Sequence, residues 1–228
     1  MPLDGHVFTA PDGAKGFDAD ETIRAATAAA FRARGYSFCV RYVRRKVKHA
    51  RDLTAAEARA LLGAGLGLMA VQHVESESAW SPTARKGAEQ GRAAAEEAEA
   101  IGIPPGVTVW CDLEGVATAT PRRDVIDYCN RWHERVAAAG YQPGLYVGWH
   151  AGLTPRQLYY DLRFTHYWGA YNLNADEAPV VRGLQMRQGV GRAADRVPGH
   201  DITFQTDRVR RDALGGAPTL LAPESWLD

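Results

Sequence analysis

The chain is poor in cysteine and carries no surplus of either charge. Cys39, Cys111 and Cys129 are the only three cysteines in 228 residues, an odd count that does not suit a disulfide framework. Two of them sit in apolar strand-like runs, so the three read as small core residues. Lys plus Arg equal Asp plus Glu at 27 each. Whole-molecule electrostatics therefore give no reason to expect nucleic acid or a membrane surface as partner. No stretch approaches the roughly 18 apolar residues of a membrane-spanning helix, and residues 1–15 show no charged-then-apolar signal pattern. The expectation is synthesis in a reducing cytoplasm, with a non-Sec route to the cell wall if the protein acts there. Several chemistries are missing too. There is no G-x-G-x-x-G phosphate loop, no G-x-S-x-G elbow, no Cys nucleophile setting and no His-Glu-x-x-His. His73, His150, His166 and His200 fall near strand ends without metal-ligand spacing, so neither a metal nor a cofactor is expected.

What is present is an ordinary globular composition, 46% hydrophobic and 24% charged. Strand and helix signals alternate along the whole length. Strands are predicted at residues 16–18, 37–43, 65–74, 107–115, 144–149, 166–171, 183–188 and 200–207. Helices are predicted at 21–34, from Thr54 to about Leu62, at about 84–100, at 121–139 and near 154–162. Thr54 with Glu57 three residues on reads as a capping box. No linker interrupts this order, so residues 1–228 are read as one domain with 1–15 as an N-terminal extension. Repeated strand-then-helix units imply a parallel sheet covered by helices. The predicted fold is α/β, a (β/α)8 TIM-like barrel with short or missing helices in the C-terminal third. A doubly wound open sheet is the alternative, without the phosphate loop that such folds carry.

In such a barrel the C-terminal strand ends form the active-site mouth. The sharpest of these ends is Val107-Thr108-Val109-Trp110-Cys111-Asp112-Leu113-Glu114-Gly115. Alternation puts Asp112 and Glu114 on one face, their Cα atoms roughly 6.6 Å apart. Neighbouring carboxylates resist ionising together, and a protonated acid beside a charged one suits glycosidic cleavage. An acidic strand end that caps a helix or pairs with an arginine is the plainer reading. The other ends contribute Asp18, Arg41 or Tyr42, Gln72 with His73, Tyr146 with Trp149, Trp168 with Tyr171, Gln185 or Gln188, and Asp201 or Asp207. Aromatic faces stack on sugar rings and acids bond hydroxyls, so carbohydrate is the natural ligand class. The basic run at residues 44–51 is either a solvated loop or a contact for an anionic polymer.

Gly16-Phe17-Asp18, Gly87-Ala88-Glu89-Gln90-Gly91, Ile101-Gly102-Ile103-Pro104, the Asp112-Leu113-Glu114 strand, Gly140-Tyr141-Gln142-Pro143-Gly144-Leu145-Tyr146 and the run from Asp207 to Gly216 occur in one order. In this order they resemble the bacterial glycoside hydrolase-like domain family, related to the Chalaropsis-type lysozymes (glycoside hydrolase family 25). The resemblance implies an irregular barrel acting on peptidoglycan or a related amino-sugar glycan, delivered by a secretion or lysis partner. It implies Glu114 as general acid and Asp112 as the carboxylate that orients the N-acetyl group or stabilises the cationic centre. Asp18 and either Asp207 or Asp201 complete the implied set. A barrel that binds cell-wall glycan without cutting it is the alternative. Trp110 stands where a chitinase-type Asp-x-Asp-x-Glu would have its first Asp.

Overall fold

Strand side chains alternate between two faces, and here the two faces bury different things. The computed structural model describes residues 2–191, 197, 199–214 and 216–226. Within them run ten strands: β1 (His6–Thr9), β2 (Lys15–Ala19), β3 (Phe38–Val43), β4 (Gly67–Gln72), β5 (Thr108–Leu113), β6 (Gln142–Val147), β7 (Tyr167–Gly169), β8 (Met186–Gly189), β9 (Gln205–Val209) and β10 (Thr219–Ala222). The helices are α1 (Ala25–Ala33), α2 (Ala55–Gly63), α3 (Ala84–Ile101), α4 (Arg122–Ala138) and α5 (Pro155–Tyr160). Strands β4, β3, β2, β9, β8, β7, β6 and β5 bond in that order, and β5 returns to β4. The result is a closed eight-stranded barrel. Outside the ring, β1 pairs antiparallel with β10, which meets β4 at Leu221 and Leu68. No helix among the described residues is long and apolar enough to cross a membrane.

One set of alternating residues fills the barrel: Phe38, Val40, Met69, Val71, Trp110, Trp168 and Met186 pack together. Room for the indole of Trp110 comes from Gly144 on the next strand, where a Cβ would lie 2.3 Å from the ring. The other set, including Phe17, Cys39, Leu68, Val109, Cys111 and Leu113, packs outward in the helix layer. All three cysteines are free and buried.

The sheet is not wholly parallel. From β2 to β8 each ring strand runs parallel to its neighbours, but β9 is antiparallel to both β2 and β8. A parallel strand needs a covering crossover, usually a helix. The described part of the β8–β9 connection forms none. The last ring strand is therefore Gln205–Val209 rather than 200–207, and it enters from the mouth. Past α5 the described helical structure is limited to single 3-10 turns, as at Ala175–Glu177.

The outer layer takes up two residues expected at the mouth. Arg41 follows the outward parity of Cys39 and Val43. Its Nε donates to Glu57 Oε1 at 2.7 Å, Nη2 donates to the Arg51 carbonyl at 2.7 Å, and Nη1 donates to the Ala19 carbonyl. Glu57 also accepts from the Ile23 amide at 2.8 Å. The Thr54 hydroxyl accepts from the Glu57 amide at 3.1 Å, but the Glu57 carboxylate serves Arg41 instead of closing the capping box. Gln72, also outward, donates to the Gln90 carbonyl at 2.8 Å and accepts from Trp132 Nε1 at 2.8 Å. The Arg41–Glu57 pair is fully buried, so Glu57→Ala leaves an uncompensated guanidinium. We expect a loss of about 3–5 kcal/mol, read from denaturant midpoints, while Arg41→Met with Glu57→Leu costs far less.

Candidate active site

Inward parity at the strand ends brings acids together. Asp18 on β2, Asp112 on β5 and Asp207 on β9 are buried, and Glu114 follows β5 by one residue. Asp112 and Glu114 line an open cavity of about 610 Å³ at the mouth, with Tyr42, His73, Tyr146 and Gln188. Asp18 and Asp207 lie deeper. Gln188 joins the two levels: its Nε2 donates to Asp18 Oδ2 at 2.9 Å and its Oε1 accepts from the Tyr146 hydroxyl at 3.0 Å. His73 is held by Asp52 Oδ1 at 2.9 Å and lies against the Tyr42 ring, centroids 4.7 Å apart.

Burial dominates the titration of all four acids. It pushes Asp18 up to about 7, against the hydrogen bonds from Gln188 and Asp207. It pushes Glu114 up to about 7, helped by the charges of Glu77 and Asp18. Asp112 is raised well above the ordinary carboxylate range by burial and then by Glu114, and the Val74 backbone opposes this. Asp207 is raised by burial and then by Asp18, with the Trp168 indole acting the other way. Both Asp207 oxygens and Trp168 Nε1 nevertheless lack hydrogen-bond geometry to any described partner. No cation among the described residues neutralises the four, so they share fewer charges than groups.

Glu114 is clamped by its backbone. The Trp80 indole donates to its carbonyl at 2.6 Å, and the Gly115 amide donates to the Trp149 carbonyl at 2.8 Å. Gly115 has φ of +63° and abuts the Glu77 backbone, where a Cβ would come within 2.4 Å. Gly148, just after β6, leaves space for the Glu114 carboxyl itself: a Cβ there would lie 2.4 Å from Oε2.

Of the residues expected at the mouth, Tyr42, His73, Asp112, Glu114, Tyr146, Trp149, Tyr171 and Gln188 line the cavity. Trp149 and Tyr171 are 45% and 47% exposed, so their rings are open to a ligand. Trp168 is wholly buried beneath, edge-on to Tyr146 at 4.6 Å. Arg41 and Gln72 face the helix layer, as described above. Gln185 precedes β8 at the opposite end, bonding the Tyr167 amide and Asp212. Asp201 is exposed in the approach to β9 and outside the cavity, whereas Asp207 is on the strand and inward. The basic run is largely committed to acids: Arg44 and Lys48 to Glu97 at 2.6 and 2.5 Å, Arg45 to Glu75 at 3.5 Å, Arg51 to Asp20 at 3.1 Å. Asp20, Glu77, Asn172 and Gln205 also line the cavity. Asp20 was reachable by counting two from Asp18; Glu77 and Asn172 sit on loops, where no period announces them. No group of three or more potential metal ligands occurs among the described residues.

A family model described as Rv2525c-like, glycoside hydrolase-like domain, matches residues 29–180. No curated protein matches by sequence. Among solved structures, the Tat-secreted protein Rv2525c of Mycobacterium tuberculosis is similar, with a TM-score of 0.62 at 18% identity over 86% of this chain and 95% of that one. A bacterial lysozyme from Streptomyces coelicolor has a TM-score of 0.61 at 16% identity, covering 90% and 95%. A muramidase from Trichobolus zukalii has 0.55 at 14% identity, covering 86% and 93%. At such identities the likeness shows the fold: an irregular lysozyme-like TIM barrel.

The buried acids make stability depend on pH with a definite sign. Asp18 moves from 3.8 to about 7 on folding, so the native state holds a proton that the unfolded chain releases. Stability from this group is full below about pH 4 and is lost as pH rises toward 7. Asp18→Asn keeps the acceptor for Gln188 and removes that loss. We expect its melting temperature to exceed the wild type's at pH 8 and the difference to vanish near pH 4, as calorimetry at both values would show.

Proposed function

The chain belongs to the Rv2525c-like, glycoside hydrolase-like domain family, and from that premise we propose that it is a lysozyme-like glycosidase acting on peptidoglycan or a related amino-sugar polymer. The observation that carries this reading is Glu114. Its carboxyl lines an open, sugar-sized cavity with Asp112, and burial pushes it up to about 7. A carboxylic acid that keeps a proton near neutrality is what protonation of a glycosidic oxygen needs.

In this reading a sugar ring lies over the cavity floor, flanked by the open faces of Trp149 and Tyr171. Glu114 gives its proton to the bridging oxygen as the bond to the anomeric carbon breaks. Asp112 orients the N-acetyl group or the cationic centre that forms. Water then adds to that centre and releases its proton to a carboxylate. Gln188 holds Asp18 in the floor, and the charges of Glu77 and Asp18 add to burial in keeping the proton on Glu114. Delivery to the wall by a non-Sec route fits the Tat secretion of Rv2525c.

Glu114→Gln should abolish release of muropeptides from purified cell walls, followed by mass spectrometry, with the fold intact. Retention on insoluble peptidoglycan without products from the wild type would instead establish a binding barrel. For an active enzyme, kcat/KM should fall about tenfold per pH unit above 7, because the proton donor is then ionised. Gly148→Ala should push the Glu114 carboxyl aside and lower kcat at least tenfold, an expectation from misplacing a reacting group, with glycan retention unchanged.

A further inference from the structure

The balanced charge total conceals a separation. The mouth is acidic, while the outer wall and closed end formed by β8 and β9 are basic. Arg187 of β8 pairs in register with Arg208 of β9, and Arg208 with Lys15 of β2. By parity all three point outward, since Met186, Gln188, Asp207 and Gly16 fill the inner positions. Like charges directly opposite each other on adjacent strands repel, and no described helix follows β8 to cover them. At the closed end the approach to β8 and the exit from β9 enclose a hollow of about 560 Å³, lined by Arg182, Arg187, Arg210 and Arg211. Arg182 is committed to Asp212 at 2.5 Å. Arg187, Arg210 and Arg211 have no side-chain partner among the described residues. The nearby acid Asp12 accepts from the Arg211 backbone amide, at 3.0 Å, and pairs with no guanidinium among the described residues.

Aliphatic side chains stand beside these arginines. Val180 and Leu214 are 67% and 74% exposed, and Val181 is 43% exposed. The two loops that carry them are tied together, because Asp212 takes both the Arg182 guanidinium and the Leu214 amide at 2.9 Å. Arginines rimming exposed aliphatic tips match an anionic lipid interface, where headgroup phosphates meet hydrocarbon. A soluble polyanion would satisfy the arginines and leave Val180, Val181 and Leu214 in water.

We propose that the closed end of the barrel docks on a bilayer containing anionic phospholipid. The arginine hollow takes headgroup phosphates, and the three aliphatic tips enter the interface. The mouth lies at the other end of the barrel, so the cavity opens away from the membrane.

Flotation with vesicles of phosphatidylcholine alone, or mixed with phosphatidylglycerol, tests this. Binding should require phosphatidylglycerol and weaken with salt. Arg210→Ser with Arg211→Ser should lower partitioning about thirtyfold, and Val180→Ser with Leu214→Ser should remove the part that survives high salt. These positions are exposed, so melting temperatures should match the wild type. Glu114→Gln should bind as the wild type does, which keeps this result separate from the hydrolase reading. Equal binding to phosphatidylcholine alone, or no effect of the arginine changes, overturns the proposal. So does binding of soluble poly(glycerol phosphate) that the aliphatic substitutions leave unaltered alongside absent vesicle binding, or light scattering that shows this patch covered by a second copy of the chain.

Discussion

A carboxyl group removed from water with no cation beside it must keep its proton or find another acid to share one. That constraint governs the centre of this barrel. Asp18, Asp112, Glu114 and Asp207 converge from three strands, and burial raises every one of them. Their proximity would be untenable as four charges. It is tolerable because the group as a whole holds protons at neutrality, and the acid nearest the opening inherits that readiness to give one up. Gln188 ties Asp18 on the floor to the Tyr146 hydroxyl at the cavity wall through one amide.

The surrounding fold exists to hold that group at a fixed depth. Large inward side chains are matched by glycines across the strand, as Trp110 is by Gly144, so the barrel interior is plugged below the mouth cavity. The outer layer holds polar groups of its own, and the two expected at the mouth are partnered there. Arg41 has Glu57 and two carbonyls; Gln72 has Gln90 and Trp132. A polar residue near a strand end therefore means opposite things on the two faces, a structural tie outside and a ligand contact inside.

This distinction explains what could be read in advance. The repeated strand-then-helix order, the weakening of helices toward the C-terminus and the inward pairing of Asp112 with Glu114 follow from periodicity alone. Position along the strand puts Arg41 and Gln72 at the mouth, yet parity counted from Cys39 and Leu68 puts both outside. The reversed direction of β9 left no local trace, since its residues alternate in the same way whichever way the strand runs. Reversal matters, because it turns Asp207 from a rim residue into part of the floor and leaves Asp201 outside. Net charge was the least informative property. Its zero sum hid an acidic opening and a basic opposite end.

The pairing of β2 with β9 joins residues nearly a full chain apart. During synthesis the first strand of the ring emerges long before its last neighbour. Until then the sheet is an open cylinder and Asp18 stays in contact with solvent, free to ionise. Closing the seam is thus a long-range event of the kind that is intrinsically slow, and it takes Asp18 and Asp207 out of water together. Proton uptake is linked to ring closure, so a chain that fails to close would differ from the finished protein in its bound hydrogen ions as well as in its shape.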